Sequence, residues 1–448
     1  MKTSLLAPPN AGTLLARLID SPALVETVQA LTPASFSALV RHIGVEDAGE
    51  IIALATTEQL VAAFDEDLFV NDRPGERESF DSARFVVWLE VLLEAGDTVA
   101  AQRVAELSED FVARALSSIL VVLDHDALLA RMGEGGQGAA AADKAIESCL
   151  SEDLDGYLLI SRDHEGWDAV LALILALDRD HRPFLIRVCD LCAEASSGYI
   201  DDLEELATVL SAAESLAEDV EAEREDRRSR HGYVEPRAAR SFLALARTPL
   251  GSDAASAKRD PITRAYFRDL EPIVGPASVA KMAPDAERLV RTIGAVVSAP
   301  VPALPSAAGA ESPPDRELPV LAAMRLLSER DPRAFGERMA EFTYLANVLV
   351  SGTDNHGDRF RPAEAAEAVL ATVDLGAELE VFDKPPASGR ASPEELYEVL
   401  RACRAEALFR KAGSELVRRG LSVDDAGFLH SREQLEAALE QLRPRARE

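Results

Sequence analysis

The residues whose types and spacing come closest to a reactive site are Asp354-Asn355-His356-Gly357-Asp358. Two carboxylates flank an imidazole, and Asn355 adds a carbonyl oxygen. A hard cation needs several oxygens at once, whereas zinc would accept His356 and a carboxylate but needs four ligands. The calcium-loop spacing fails, because the twelfth position counted from Asp354 is Ala365 and not a glutamate. Asx side chains close turns without any ligand. The stretch therefore reads first as a capped loop between helices, with Asp354, His356 and Asp358 as the candidate metal ligands.

Other motifs carry less. Cys189 and Cys192 form a C-x-x-C with no second pair, inside a helical pattern. A zinc site would need partners such as His181 or Cys149, and a thioredoxin-like site would need a βαβ context that the flanking residues do not supply. Two small buried hydrophobes account for them. Gly133–Gly138, GEGGQG, matches G-x-G-x-x-G letter for letter. That pattern cradles a pyrophosphate only between a strand and a helix N-terminus. Here HDALLARM reads as helix and no β-branched apolar run leads into the glycines, so a hinge is expected. There is no G-x-S-x-G, no H-E-x-x-H and no Walker A. Catalytic residues are not identifiable, and no cofactor is expected.

Composition bounds the partners. The 448 residues carry a net charge of −31, which repels phosphate backbones and anionic bilayers. Nucleic-acid and membrane-surface binding are disfavoured, while cations or a basic protein partner would be attracted. Four cysteines in so long a chain are not a disulfide scaffold. The start, MKTSLLAPPNAG, lacks the apolar core of a secretory signal, and the longest apolar run, Ala169–Leu177, is too short to span a bilayer. The expectation is a soluble, cytoplasmic protein.

The elements that would position any site are helical. Hydrophobic content is 47 % but aromatics only 5 %, so the apolar mass is mostly Ala, Leu and Val. Between Ser21 and Glu66 helix starts recur at Ser21, Thr32, Val45 and Thr56. Ser21 and Thr32 precede prolines, as N-caps precede N1 prolines, and Thr56 with Gln59 has capping-box spacing. Further starts fall at Asp81, Asp97 and Ser108, and Trp88 should be core with one partner for its N–H. Isolated helices shorter than roughly 12–15 residues are marginal in water, so these must be held by stacking. The fold class is all-α: stacked short helical hairpins, α-solenoid-like, in the N-terminal part, an irregular helical bundle after it, and at most one short hairpin, at Tyr157–Ser161.

The run Leu31-Thr32-Pro33, Leu39-Val40, Ile43, Glu46-Asp47-Ala48, Ile51-Ile52 and Glu58-Gln59-Leu60 resembles the helical repeats in the amino-terminal cytoplasmic domain of MgtE-type magnesium transporters. The chain lacks those transporters' membrane half, so transport is not carried over. The same run, with Tyr344–Val350 and Arg359–Thr372, resembles a bacterial family known only as a domain of unknown function. That resemblance implies a helical cytosolic protein and supplies no activity.

Further along, Tyr199–Arg230 reads as one long helix, with Gly232 as its stop and Pro236 opening the next helix. A stretch with six prolines separates this region from a C-terminal unit. There Phe335, Met339, Phe342, Leu345 and Leu349 make one buried face, and Ser392-Pro393-Glu394-Glu395 is a helix start. The expected domains are 13–132, 139–298 and 319–448, with 299–318 as linker. The leading reading is a scaffold that binds a protein partner and is compatible with homo-oligomerisation. A divalent-cation-responsive regulator and an enzyme built from dispersed residues are the alternatives.

Overall fold

In a computed structural model of the chain, the described residues are 11–71, 78–124, 150–162, 165–197, 212–249, 259–270, 286, 289–291, 293, 318–355, 358–382, 390–421 and 427–442. They are predominantly helical, with small antiparallel sheets, as the all-α reading expects. The chain divides into two compact units that interleave in sequence: Met1–Val70, Glu78–Arg224 and Ile273–Ser306 in the first, and Asn71–Arg77, Glu225–Pro272 and Ala307–Glu448 in the second. Three consecutive domains were expected. The linker expected at 299–318 lies, apart from Leu318, outside the described residues.

Unit 1 begins with eight helices: α1 (Ala11–Ile19), α2 (Leu24–Gln29), α3 (Pro33–Ile43), α4 (Gly49–Leu54), α5 (Thr57–Asp67), α6 (Ser82–Glu94), α7 (Asp97–Ala105) and α8 (Glu109–Ile119). They are 6 to 13 residues long, at or below the length that holds a helix in water. Their order comes from stacking two helices along the chain. α1 packs on α3 and α3 on α5, while α2 packs on α4, α4 on α6 and α6 on α8. Two rows result, which is the packing logic of an α-solenoid. Phe64, Trp88 and Phe111 fill the seam between them, with ring centroids 5.0 Å apart for Phe64–Trp88 and 5.7 Å for Phe64–Phe111. The Trp88 N–H donates to Asp67 Oδ2 at 2.6 Å, the single partner the sequence asks for.

The helix starts follow local chemistry where a side chain can reach. Thr32 accepts from Ser35 N at 3.2 Å, Asp81 from Arg84 N at 2.9 Å, and Thr56 with Gln59 completes a capping box. Gln59 also donates to Val28 O and Leu31 O, tying α5 to the end of α2. Two expected starts move. α2 begins at Leu24, since Ser21 closes a turn onto Ala23 N, and α4 begins at Gly49, since Val45 is the apolar residue of a preceding turn.

Strand content exceeds the one hairpin expected. β1 (Phe69–Val70) pairs with β2 (Ser79–Phe80). β3 (Leu120–Asp124), β4 (Ser151–Leu154) and β5 (Tyr157–Ser161) form a sheet in the order β3-β5-β4. β6 (Asp354–Asn355) pairs with β7 (Asp358–Arg359). The Tyr157–Ser161 candidate is thus the centre of a sheet, entered through Asp155-Gly156, both at positive φ as a tight hairpin requires. The β3 segment was concealed in the sequence, because Val121 and Val122 continue the apolar pattern of α8 without a break. A β-branched run therefore does precede the glycines at 133–138. Those glycines lie outside the described residues.

α9 (Trp167–Ser197) packs on α6, α7, α8 and β3, and is kinked at His181 (φ −139°), two residues before Pro183. α10 (Ala212–Arg230) buries Leu216, Val220 and Arg224, one residue per turn. The part of the expected helix before Ala212 lies outside the described residues.

Unit 2 is built on α15 (Pro362–Val381). From Ala371 to Leu379 every residue of it is buried, as for a helix enclosed on all sides. Around it stand α11 (Pro236–Ala246), α12 (Pro261–Asp269), α13 (Pro319–Arg330), α14 (Pro332–Gly352), α16 (Pro393–Ala402), α17 (Ala405–Arg419) and α18 (Arg432–Leu442). Pro236 opens its helix and Ser392 completes a capping box, as the sequence indicates. Met339 leaves the expected buried face of α14 and is 45 % exposed. The stripe drifts, and Tyr344 and Val348 take the inward positions.

α15 and α17 approach so closely that a Cβ on Gly376 would lie 2.6 Å from the Leu408 carbonyl carbon. Gly376→Ala is expected to destabilise unit 2 by at least ~2 kcal/mol, because backbone is the obstacle. Gly336, exposed on α14 with open space around it, is the control. Gly336→Ala should stabilise by roughly 0.5–1 kcal/mol. Urea unfolding of both variants checks the pair, and a mild Gly376→Ala would refute the close approach.

Candidate functional site

The predicted candidate falls on the β6–β7 pair. Asp354 pairs with Arg359 and Asn355 with Asp358, so the stretch is the hairpin-like end between α14 and α15. His356 lies outside the described residues, and so the imidazole is not placed with respect to Asp354 and Asp358. Among the described residues no group of three or more His, Cys, Asp or Glu side chains could hold a metal ion. Cys189 and Cys192 lie buried on α9, and Cys149 is not among the described residues. Burial pushes the Cys189 thiol up to about 12 and Cys192 to about 11. Both therefore hold their protons at neutral pH, and Cys192 donates to Ala113 O at 3.5 Å.

The polar chemistry that sequence reasoning missed is carried by arginines. In unit 1 the side chain of Arg224 is 5 % exposed yet fully engaged. Its Nε and Nη2 donate to Asp65 O at 2.9 and 2.6 Å, its Nη1 meets Glu78 Oε2 at 2.6 Å, and its Cζ sits 4.0 Å from the Phe69 ring centroid. Asp65 O belongs to the last turn of α5, where carbonyls lack partners and the helix dipole favours a cation.

Unit 2 holds two such centres. On α15, Asp374 and Glu378 lie one turn apart, 0 % and 1 % exposed, and both receive Arg390. Asp374 also accepts from Val320 N at 3.1 Å, at the start of α13, and Glu378 from Ala391 N at 3.1 Å. Burial pushes the Asp374 carboxyl up to about 6, against the pull of Arg390. On α14, Glu341 is fully buried between Arg338 and Arg259, and accepts from Ala405 N at 2.9 Å. Arg259 Nε also reaches Glu406 at 3.1 Å. Burial raises the Glu406 carboxyl, and the neighbouring Glu341 charge adds to it. Arg338 Nη1 closes on Leu400 O and Cys403 O, at the end of α16. Both centres join helix ends to a helix interior, which is a structural task.

A different arrangement lines a cavity of about 250 Å³ in unit 1. Arg114, Ser117 and Ser118 come from α8, and Arg162 follows β5. Ser196 and Ala195 come from the last turn of α9, and Ala213 with Leu216 from the first turns of α10. Arg162 Nε donates to Ser117 O at 2.9 Å and to Leu120 O at 3.3 Å. Ser118 and Ser196 commit their hydroxyls to Ala115 O and Cys192 O. Ser117 Oγ is buried beside the Cys192 thiol. Burial lowers the Arg114 guanidinium, opposed by the charge of Glu221.

Comparison with known proteins adds a family without an activity. Residues 2–129 match the model described as a family of unknown function, DUF6178. No curated protein and no solved structure matches the chain. The matched span ends within the sequence after β3, so it covers the two rows of short helices.

The buried α15 centre has a measurable consequence. Asp374 binds its proton more tightly folded than unfolded, its ordinary value being 3.8. The folded state therefore holds more protons between about pH 4 and pH 6. Its contribution to stability is present below pH 4 and is lost as pH rises through 6, by roughly 3 kcal/mol at ~1.36 kcal/mol per unit. Asp374→Asn should remove that slope. Urea unfolding of both proteins across pH 4–7 compares them, and parallel curves would refute the assignment.

Proposed function

We propose that this chain is a non-catalytic helical scaffold, acting in the cytoplasm, whose N-terminal helical array docks a basic amphipathic helix of a protein partner. The observation that carries this reading is the two-row stack of α1 to α6 with α8. Stacked short helices bury one face on their neighbours and present extended surfaces for binding. The first layer keeps apolar side chains in water: Ile19 at the end of α1 is 41 % exposed, and Val25 on α2 is 50 % exposed. A further amphipathic helix laid against them would continue the stack by the packing that built it. The net charge of −31 favours a partner of opposite sign and speeds its encounter.

The family match supports the reading only in that it spans the same two rows.

The Ile19→Asp/Val25→Asp double variant tests the proposal. Both positions are surface sites, so stability should change by no more than ~0.5 kcal/mol per site. Affinity for the cross-linked partner should fall at least tenfold, and the wild-type complex should weaken as salt rises. Chemical cross-linking in cells followed by affinity measurement with the purified partner reads both effects. An unaltered complex in the double variant, or a strictly monomeric chain that cross-links to nothing, would overturn the proposal.

A further inference from the structure

The unit 1 cavity contains two guanidinium groups with donors to spare. Among the described residues Arg114 makes no hydrogen bond and no ion pair; its contact is with the Phe80 ring, 5.8 Å from centroid to Cζ. Arg162 spends its Nε on two backbone carbonyls, and its Nη groups have no acceptor among the described residues. The Ser117 hydroxyl is shut off from solvent beside the Cys192 thiol. The other hydroxyls of the lining are already committed. A half-buried cation without acceptors is costly, and the same unit shows how that cost is met elsewhere: Arg224 finds two carbonyl bonds, a carboxylate and a ring.

We propose that this cavity binds a small phosphate-type dianion, held by the guanidinium Nη groups of Arg114 and Arg162. The charge matches: two unpaired cations against a double negative charge, with Glu221 offsetting Arg114 in part. Planar guanidinium forks suit oxyanion edges, and donors from α8 and from the end of β5 reach a tetrahedral group from two sides. The volume is near the lower end of ligand sites, which run ~300–1,000 Å³, so the occupant is small. Ala195, Ala213 and Leu216 form an apolar wall that would accept a short aliphatic substituent. Inorganic phosphate and a small phosphate monoester share this chemistry. Binding would tie α8 to the end of β5 through one ion. The site stands independently of partner docking at α1 and α2.

The test uses the full chain and thermal unfolding in inorganic phosphate, glycerol 3-phosphate, acetate and chloride at equal ionic strength. At 100 times its dissociation constant, a ligand of the folded state raises the folding equilibrium constant roughly 100-fold. Phosphate or the monoester should produce such a gain, and which of the two is stronger identifies the source. Arg114→Met loses no hydrogen bond or ion pair among the described residues, only the Phe80 ring contact and the distant Glu221 charge, so it should fold about as well as wild type without phosphate and lose most of the gain. Arg162→Met should need several-fold more phosphate for the same effect. No gain beyond chloride, a gain with acetate alone, or a phosphate gain undiminished in Arg114→Met would overturn the proposal.

Discussion

A guanidinium taken out of water must find acceptors, and the structure is organised around that requirement. Arg224, Arg338 and Arg390 each sit where helices end and carbonyls or carboxylates await a donor. Arg224 closes the last turn of α5. Arg338 closes the end of α16 while pairing with Glu341. Arg390 neutralises two carboxylates on the fully enclosed half of α15. In each case removal of the arginine would leave buried polar atoms unpaired, the situation that makes single substitutions severe.

The acidic balance of the chain takes on a second meaning beside these centres. At a net charge of −31, self-repulsion opposes compaction. Asp374, Glu378 and Glu341 are nevertheless placed inside, 0 %, 1 % and 0 % exposed. They are tolerated because each is met by arginine and by a backbone N–H: Val320 for Asp374, Ala391 for Glu378 and Ala405 for Glu341. These contacts fix the start of α13, the approach to α16 and the start of α17 relative to α14 and α15. The specificity of the bundle thus lies partly in its buried ions, while the Ala-rich helices supply close packing with little shape of their own.

What could be read in advance was whatever depends on a few neighbouring residues. Thr32, Thr56, Asp81 and Ser392 announce helix starts because the cap and its partner are within three residues, and Pro236 does so because its ring fits the first helical position. The stacking of short helices was legible for the same reason, from length and spacing. β3 was not, since its partner β5 lies some forty residues on and its own residues continue the pattern of α8. The arginine centres were not legible either: Arg224 and Asp65 are 159 positions apart, Arg259 and Glu406 147 apart. Of the metal candidate at 354–358, Asp354 and Asp358 fall on the short β6–β7 pair, and His356 lies outside the described residues.

The chain has two tryptophans, Trp88 in the seam of the short helices and Trp167 at the start of α9. Both lie in unit 1 and are buried, 1 % and 7 % exposed. Unit 2 carries tyrosines, among them Tyr344 and Tyr397, and no indole. Intrinsic emission excited at the red edge of the aromatic band will therefore report the melting of one half of the molecule, while far-ultraviolet dichroism sums over both. Non-coincident transitions by the two probes would mark the units as separate cooperative blocks, and coincident ones as a single block.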